Sequence, residues 1–405
     1  MTACRVCGLV TTPVIDFGEM PIANYFVKDL NEDNYRFKLA ASLCEVCYLF
    51  QLDDQPRPEL MFHENYPFFT GLSSTMVSHF KDMVDEALEE VSKSVSDIQV
   101  MEIGCNDGTL LSNFARSGIK HLGVDPSANV VEVARSKGLN AQVDFFGYKT
   151  AKRIKASSGE FDLILAANVI CHIPDLNDFA KGIEHLLTPD GRFIFEEPYA
   201  GDVVAKVSYD QFYDEHVYIF SCISVSKIFE KFILELIDAR HQERHGGSMR
   251  YTIARKGSRE IKRSASDQIA LELSQGLDKI STYREFAKKC EVRKIELLRL
   301  LSDLKSSGKT IAGYAATSKS TTILNYCGID SKLIEFVSDS TPEKQGTFMP
   351  GSGIPVVTPE FLRERKPDYI VLFAWNHERE ILEKETELTS SGSKWIRFVP
   401  KVEVL

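Results

Sequence analysis

Residues Ile98-Gln99-Val100-Met101-Glu102-Ile103-Gly104 form a short apolar run, and Cys105-Asn106-Asp107-Gly108-Thr109 breaks it with a polar turn before a helical pattern begins near Leu110. A strand that enters a helix through such a turn leaves few architectures open. The helix has to pack back onto the sheet, and the next strand then lies parallel to the first. His121 to Asp125 reads as that next strand, ending in an acid about 20 residues after the turn. Further strands are expected at Ala141 to Phe146, Phe161 to Ala167 and Arg192 to Glu197, continuing one sheet. The fold class is therefore α/β.

The same turn limits the ligand. Glycine at 104 and 108 lets backbone approach a ligand where a side chain would block it, and Asp125 suits bidentate bonding to ribose hydroxyls. A dinucleotide site needs GxGxxG so that pyrophosphate can sit on the helix N-terminus, whereas this turn reads EIGCNDG. Its carboxylates would repel pyrophosphate and tolerate the sulfonium and ammonium of S-adenosylmethionine. Glu102, Gly104, Asn106, Gly108 and Asp125 are the expected cofactor contacts, and the turn resembles the first motif of Rossmann-like methyltransferases. After the strand 161–167 comes Asn168-Val169-Ile170-Cys171-His172-Ile173-Pro174-Asp175, at the carboxyl end of a strand, where ligands of α/β sheets bind. Asn168 is assigned to the cofactor. His172 is a candidate contact to substrate or cofactor, with a satisfied structural histidine an equal alternative.

Cys4-Arg5-Val6-Cys7 and Cys44-Glu45-Val46-Cys47 are two CxxC pairs, and four soft ligands at this spacing favour zinc over a redox pair. Four thiolates leave no open position, so the metal is expected to be structural. The other five cysteines, Cys105, Cys171, Cys222, Cys290 and Cys327, show no ligand spacing and read as small buried hydrophobes. The loop from Tyr66 to Thr75 has a composition that could line a pocket, though packing a hinge is the favoured reading, ahead of a helix from about Met76 to Ser94. With 405 residues the chain has room for two or three domains, and a net charge of -10 argues against broad nucleic-acid or acidic-membrane binding. No charged-then-apolar leader and no apolar run of ~18 residues is present, so a cytoplasmic location is expected.

Tyr213-Asp214-Glu215-His216-Val217-Tyr218 crowds an imidazole, two carboxylates and two phenols into six residues, a composition suited to proton transfer. Residues 242–263 carry the densest basic run, within which His245-Gly246-Gly247-Ser248-Met249-Arg250 combines exposed amides with a guanidinium and suits phosphate. Residues 264–305 read as a helical connector, with Leu273, Leu277, Ile280, Leu297, Leu298 and Leu301 at helical spacing. A second α/β unit follows. Thr310 to Tyr314 enters the turn Ala315-Ala316-Thr317-Ser318-Lys319-Ser320, and Ile334 to Asp339 again ends in an acid. Without a third glycine its dinucleotide signal is weak.

The two CxxC pairs, EIGCNDG, NVICHIPD, YDEHVYIFS and HGGSMR occur in the order seen in sugar C-methyltransferases of deoxysugar biosynthesis, which the chain resembles over nearly its whole length. That resemblance implies an N-terminal zinc-binding domain, a central Rossmann-like S-adenosylmethionine methyltransferase domain and a C-terminal Rossmann-like sugar-nucleotide domain, here expected at 1–72, 73–240 and 241–405. It implies methylation at carbon 3 of a nucleotide-linked 4-keto-6-deoxyhexose. His216 is then the expected base, with Glu215 orienting or electrostatically supporting it and Tyr213 donating to the enolate oxygen or holding the sugar ring. His172 and Tyr66 join the substrate site by the same resemblance. His245 and Arg250, together with Tyr314, Ser318 and Lys319, are expected to face the sugar nucleotide. The family's GYGA-x-x-K-like motif is altered here by Ala315, Thr317 and Ser318. A monomer with neither nucleic-acid nor membrane partners is expected. The rival readings are an NAD-dependent sugar-nucleotide oxidoreductase or epimerase and a non-catalytic, zinc-stabilised scaffold.

Overall fold

The computed structural model describes residues 2–31, 35–62 and 69–405. Tyr66, expected in the substrate site, lies outside the described residues. Among the described residues the strands form three sheets.

The first sheet begins with the antiparallel strands β1 (Thr12–Pro21), β2 (Arg36–Leu43) and β3 (Phe50–Leu52). The CxxC pairs flank it as two similar turns. Cys4 N donates to Leu9 O and Gly8 N to Cys4 O, while Cys44 N donates to Leu49 O and Tyr48 N to Cys44 O. Each turn places one residue at positive φ, Gly8 in the first and Tyr48 in the second.

Helix α1 (Ser74–Glu89) leads into the central unit, its first turn capped by the Ser73 hydroxyl, which accepts from Met76 N. Strand β4 (Gln99–Ile103) is followed by α2 (Leu111–Arg116), β5 (Lys120–Asp125), α3 (Ala128–Ser136), β6 (Ala141–Val143), α4 (Tyr148–Ser158), β7 (Phe161–Ala167), α5 (Leu176–Leu186) and β8 (Leu187–Pro198). The expected strands are thus present in the expected order. Their near-continuous apolar runs reflect burial on both faces: every residue of β7 from Phe161 to Ala166 is buried.

Two features cross the expected boundaries. Strand β9 (Tyr218–Ile219) leaves the central unit and pairs antiparallel with β3, so the segment directly after His216 completes the zinc unit's sheet. After α6 (Cys222–Phe229), strands β10 (Leu234–Gln242) and β11 (Ser248–Arg255) form a hairpin that joins β8, giving the order β10-β11-β8-β7-β4-β5-β6. A boundary at 240/241 falls inside this hairpin. The HGGSMR motif is its tip and belongs to the central sheet.

Helices α7 (Arg263–Ser274) and α8 (Ile280–Ser306) connect to the last unit. Helix α8 buries Tyr283, Phe286, Cys290, Leu297 and Leu301 on one stripe. Phe50 of β3 meets Phe212, Tyr283 and Phe286 at ring-centroid separations of 5.1, 4.9 and 6.3 Å, so the connector is packed between units. Leu273, expected on the packed face, is 45% exposed. The last sheet has the order β14 (Val356–Val357), β13 (Val337–Ser338), β12 (Ile311–Tyr314), β15 (Tyr369–Leu372), β16 (Lys394–Arg397) and β17 (Glu403–Val404), with α9 (Ser318–Cys327) following β12. Only its final pair, β16 with β17, is antiparallel. Among the described residues no helix is long and apolar enough to cross a membrane.

Candidate active site

The turn after β4 adopts positive φ at Gly104, Asn106 and Gly108 (70°, 47° and 76°). A side chain at 104 would put a Cβ 2.2 Å from Val169 Cγ2, which explains glycine there. Asp125 closes the turn by accepting from Asn106 N at 3.0 Å and Ser127 N at 2.9 Å. Glu102, the penultimate residue of β4, is 3% exposed, with its Oε2 buried and without a hydrogen-bond partner. Burial, with Asp125 and Asp107 nearby, holds the Glu102 carboxyl well above the usual carboxylate range. Helix α2 begins at Leu111, and its N-cap residue, Leu110, provides no side-chain cap. A concave backbone beside a buried acid with one unpartnered oxygen fits a cationic adenosine-bearing ligand, and Glu102, Gly104, Asn106, Gly108 and Asp125 are the residues that would hold S-adenosylmethionine. The preceding loop, read as a hinge, also touches this turn: Thr70 N donates to Asn106 Oδ1 at 3.0 Å and Gly71 N to Asp107 Oδ2 at 3.1 Å.

Beyond the carboxyl ends of β7 and β8 stands the histidine cluster. His216 Nδ1 donates to the Gln211 carbonyl at 2.9 Å, which leaves the lone pair on Nε2, and the Tyr213 hydroxyl donates to Nε2 at 2.5 Å. His216 is 5% exposed, and burial pushes its pKa well below the ordinary imidazole value. The His172 ring stacks on it at 5.5 Å. His172 Nε2 is buried without a partner, and burial lowers the pKa of this imidazole to about 4. Orientation of His216, the role expected of Glu215, comes from the Gln211 carbonyl. Glu215 instead accepts from Asn24 Nδ2 at 2.7 Å, and Asp214 accepts from Ala23 N at 2.9 Å, which ties the cluster to the zinc unit. Burial and the charge of Glu215 raise the Asp214 carboxyl to about 8.

The tip of the β10–β11 hairpin forms the third wall. His245 has φ 56° and its Nε2 lies 3.3 Å from Asn168 Nδ2, so the two expected ligand contacts meet. The His245 carbonyl accepts from Gln211 Nε2 at 2.7 Å and Lys319 Nζ at 3.2 Å. Trp375 covers Gly246, where a Cβ would sit 2.5 Å from the ring, and Trp375 Nε1 donates to Asp210 Oδ2 at 2.7 Å. Lys319, at the start of α9, therefore faces the central unit, and Ser318 beside it is half-buried. Arg250 and Tyr314 do not take the expected positions. The Arg250 guanidinium is 6% exposed and held by Glu196 and Glu86, because β11 points it into the sheet-to-α1 interface. Tyr314 is packed in the last unit's core and donates to Glu385 at 3.2 Å.

The four Sγ atoms of Cys4, Cys7, Cys44 and Cys47 lie within 4.8 Å of one another, with Cys7 and Cys44 at 3.6 Å. A tetrahedron with Zn–S bonds of ~2.3 Å has S–S edges of roughly 3.8 Å, so the donor set fits structural zinc. Val6 N and Cys47 N donate to Cys4 Sγ and Cys44 Sγ at 3.4 and 3.3 Å. These bonds favour the thiolate forms.

Sequence reasoning missed Gln211, Asp210, Asn24 and the Thr70–Gly71 backbone. Gln211 and Asp210 stand two to six residues from the cluster that was singled out, and proximity was the available signal. Asn24 contacts a residue 191 positions away, and no local pattern marks it.

Three family models match in order: a zinc binding domain over residues 4–62, a methyltransferase domain over 76–239 and a C-methyltransferase C-terminal domain over 243–400. The C-methyltransferase NovU of Streptomyces niveus is 32% identical over 406 aligned positions, covering 99% of this chain and 96% of that protein. A ubiquinone biosynthesis O-methyltransferase of Chelativorans sp. is 32% identical over 101 residues, which is 25% of this chain and 40% of that protein. A solved S-adenosylmethionine-dependent methyltransferase from Clostridium acetobutylicum shares 18% identity over 45% of this chain and 92% of its own, at a TM-score of 0.36, too loose a superposition to weigh. The full-length match, with the zinc site and cofactor turn in place, means that the chain belongs to the C-methyltransferase family and is an S-adenosylmethionine-dependent enzyme with a structural zinc.

Proposed function

We propose that the enzyme methylates carbon 3 of a nucleotide-linked 4-keto-6-deoxyhexose, with His216 as the base. Carbon is a poor nucleophile until a proton leaves it, so C-methylation calls for a base and a group to stabilise the resulting negative charge. A ketone at carbon 4 acidifies the hydrogen on carbon 3. The observation that carries the reading is the His216 imidazole, fixed by the Gln211 carbonyl with Nε2 as the acceptor and kept neutral by burial. When bound, S-adenosylmethionine supplies an electrophilic methyl group.

His216 Nε2 removes the carbon 3 proton, and Tyr213, released from its bond to that nitrogen, donates to the oxygen at carbon 4. His172, stacked beside His216 with a free Nε2, holds the sugar ring. Lys319 and the 245–247 backbone face the nucleotide end. The substrate follows from the motif resemblance and from the need of a C-methyltransferase for an acidic carbon.

The test is incubation with S-adenosylmethionine and 4-keto-6-deoxyhexoses on thymidine or guanosine diphosphate, reading product mass and methyl position by carbon NMR. A new methyl on oxygen or nitrogen refutes the reading. His216→Asn should cut turnover by about 10² to 10⁴ with cofactor affinity unchanged. Full turnover in that variant removes His216 as the base.

A further inference from the structure

Cys171 was read from sequence as a buried hydrophobe, yet the fold brings it to the histidine cluster. One ligand atom each from Cys171, His172 and His216 lies within 4.8 Å of the other two. Cys171 and His172 sit on one short helical turn, Ile170–His172, and Val217 N donates to the Cys171 carbonyl at 2.8 Å, which brings the segment after His216 against that turn. A second observation points to a ligand: His172 Nε2 is buried with no partner.

We infer that Cys171, His172 and His216 form a second metal site, distinct from the four-cysteine zinc, that takes a borderline divalent cation such as Zn2+ or Co2+. One thiolate and two imidazoles are soft and borderline donors that suit a divalent zinc or cobalt ion, and three ligands leave a fourth tetrahedral position open. Binding is balanced by one proton: the Cys171 thiol loses H+ to bulk water as the metal–sulfur bond forms, both imidazoles give lone pairs, and the Tyr213 hydroxyl gives up its hydrogen bond to His216 Nε2. No electron is transferred. Separations of up to 4.8 Å must contract toward the roughly 3.3 to 3.8 Å of a tetrahedral N and S set, a shift within reach of side-chain rotation. On the proposed function, occupation takes the lone pair of the base, so the metal inhibits. That consequence alone rests on His216 being the base.

The test uses the full-length protein carrying its structural zinc. After dialysis against micromolar Zn2+, metal analysis should give two ions per chain, and one ion per chain overturns the site. Co2+ added to zinc-loaded protein should produce a thiolate-to-cobalt absorption band that is absent in Cys171→Ala. Cys171→Ala should keep basal methyl transfer while needing roughly tenfold or more added Zn2+ for half-inhibition. Unchanged inhibition in that variant overturns the assignment of Cys171. If Cys171→Ala fails to fold, the stoichiometry and cobalt spectrum of the parent protein still decide the matter. Two ions per chain with activity intact would leave the site standing and refute His216 as the base.

Discussion

The central and C-terminal units solve the same backbone problem with opposite results. Each has a parallel strand, a turn, a helix and a second strand ending in an acid, and in each that acid closes the turn. Asp125 accepts from Asn106 N and Ser127 N, while Asp339 accepts from Ala316 N and Thr341 N at 2.9 and 2.8 Å. The turns themselves differ. In the central unit three consecutive alternate positions take positive φ, α2 has no side-chain cap, and Glu102 keeps an unpartnered oxygen. In the C-terminal unit Thr317 and Ser320 form a reciprocal capping box at the start of α9, and Lys344 Nζ donates to the Ala316 carbonyl at 2.8 Å. Lys137 Nζ likewise donates to the Asp107 carbonyl of the first turn at 2.7 Å, so the turns differ in that the first is open at the unpartnered Glu102 oxygen and an uncapped helix, whereas the second has its helix start closed by its own side chains. A Rossmann-like topology thus permits a nucleotide site without creating one.

The largest expected effect is on the open turn. Gly104→Val should lower S-adenosylmethionine affinity by about 100-fold or more in calorimetric titration, from positive-φ strain and collision with Val169. The matched change in the closed turn, Ala315→Gly, should leave that affinity alone. Equal losses in both would erase the contrast. Nicotinamide dinucleotides should show no saturable fluorescence change, since the capping box already bonds the Thr317 and Ser320 amides at the start of α9. Saturable binding would revive the oxidoreductase reading.

A second prediction concerns Glu102. Its carboxyl is held high in the free site, so a cationic cofactor should draw its proton off on binding, and affinity should rise with pH. Glu102→Gln should abolish that pH dependence and weaken binding by roughly tenfold, the worth of one charge-assisted bond. A pH-independent affinity in the parent would break the argument.

The buried histidines give a pH effect on stability. Folded His172 titrates at about 4 and His245 at about 3, both below the ordinary 6.5, so the unfolded chain binds more protons as the medium becomes acidic. The stability from keeping them neutral is complete above pH ~6.5 and is lost as pH falls toward those values. A melting temperature that stays flat from pH ~7 to ~5 would contradict this. Turnover should likewise hold through the ordinary imidazole range and fall only at lower pH, because His216 is also depressed. The smallest effect is in the closed turn: Thr317→Ala should cost about 1 kcal/mol of stability in denaturant unfolding, without changing cofactor affinity.

Much of this was legible in the chain because local physics governs it. The strand at 98–104 is apolar because it is buried on both faces, the glycines mark backbone that a Cβ would block, and CxxC spacing follows from how two thiolates reach one ion. Those features determined the α/β class, the cofactor turn, the zinc ligands and His216 as a residue of interest. Tertiary structure decided what those residues meet. Arg250 looked like a phosphate donor until β11 turned it onto Glu196 and Glu86. Tyr314 looked like a cleft residue until its hydroxyl was found on Glu385. Asn24 reaches Glu215, and Cys171 reaches His216, only because β9 crosses into the zinc unit's sheet and folds the segment around His216 against both neighbours. Sequence spacing encodes which groups share a turn or a helix face, whereas contacts between distant segments arise from packing that no local period records.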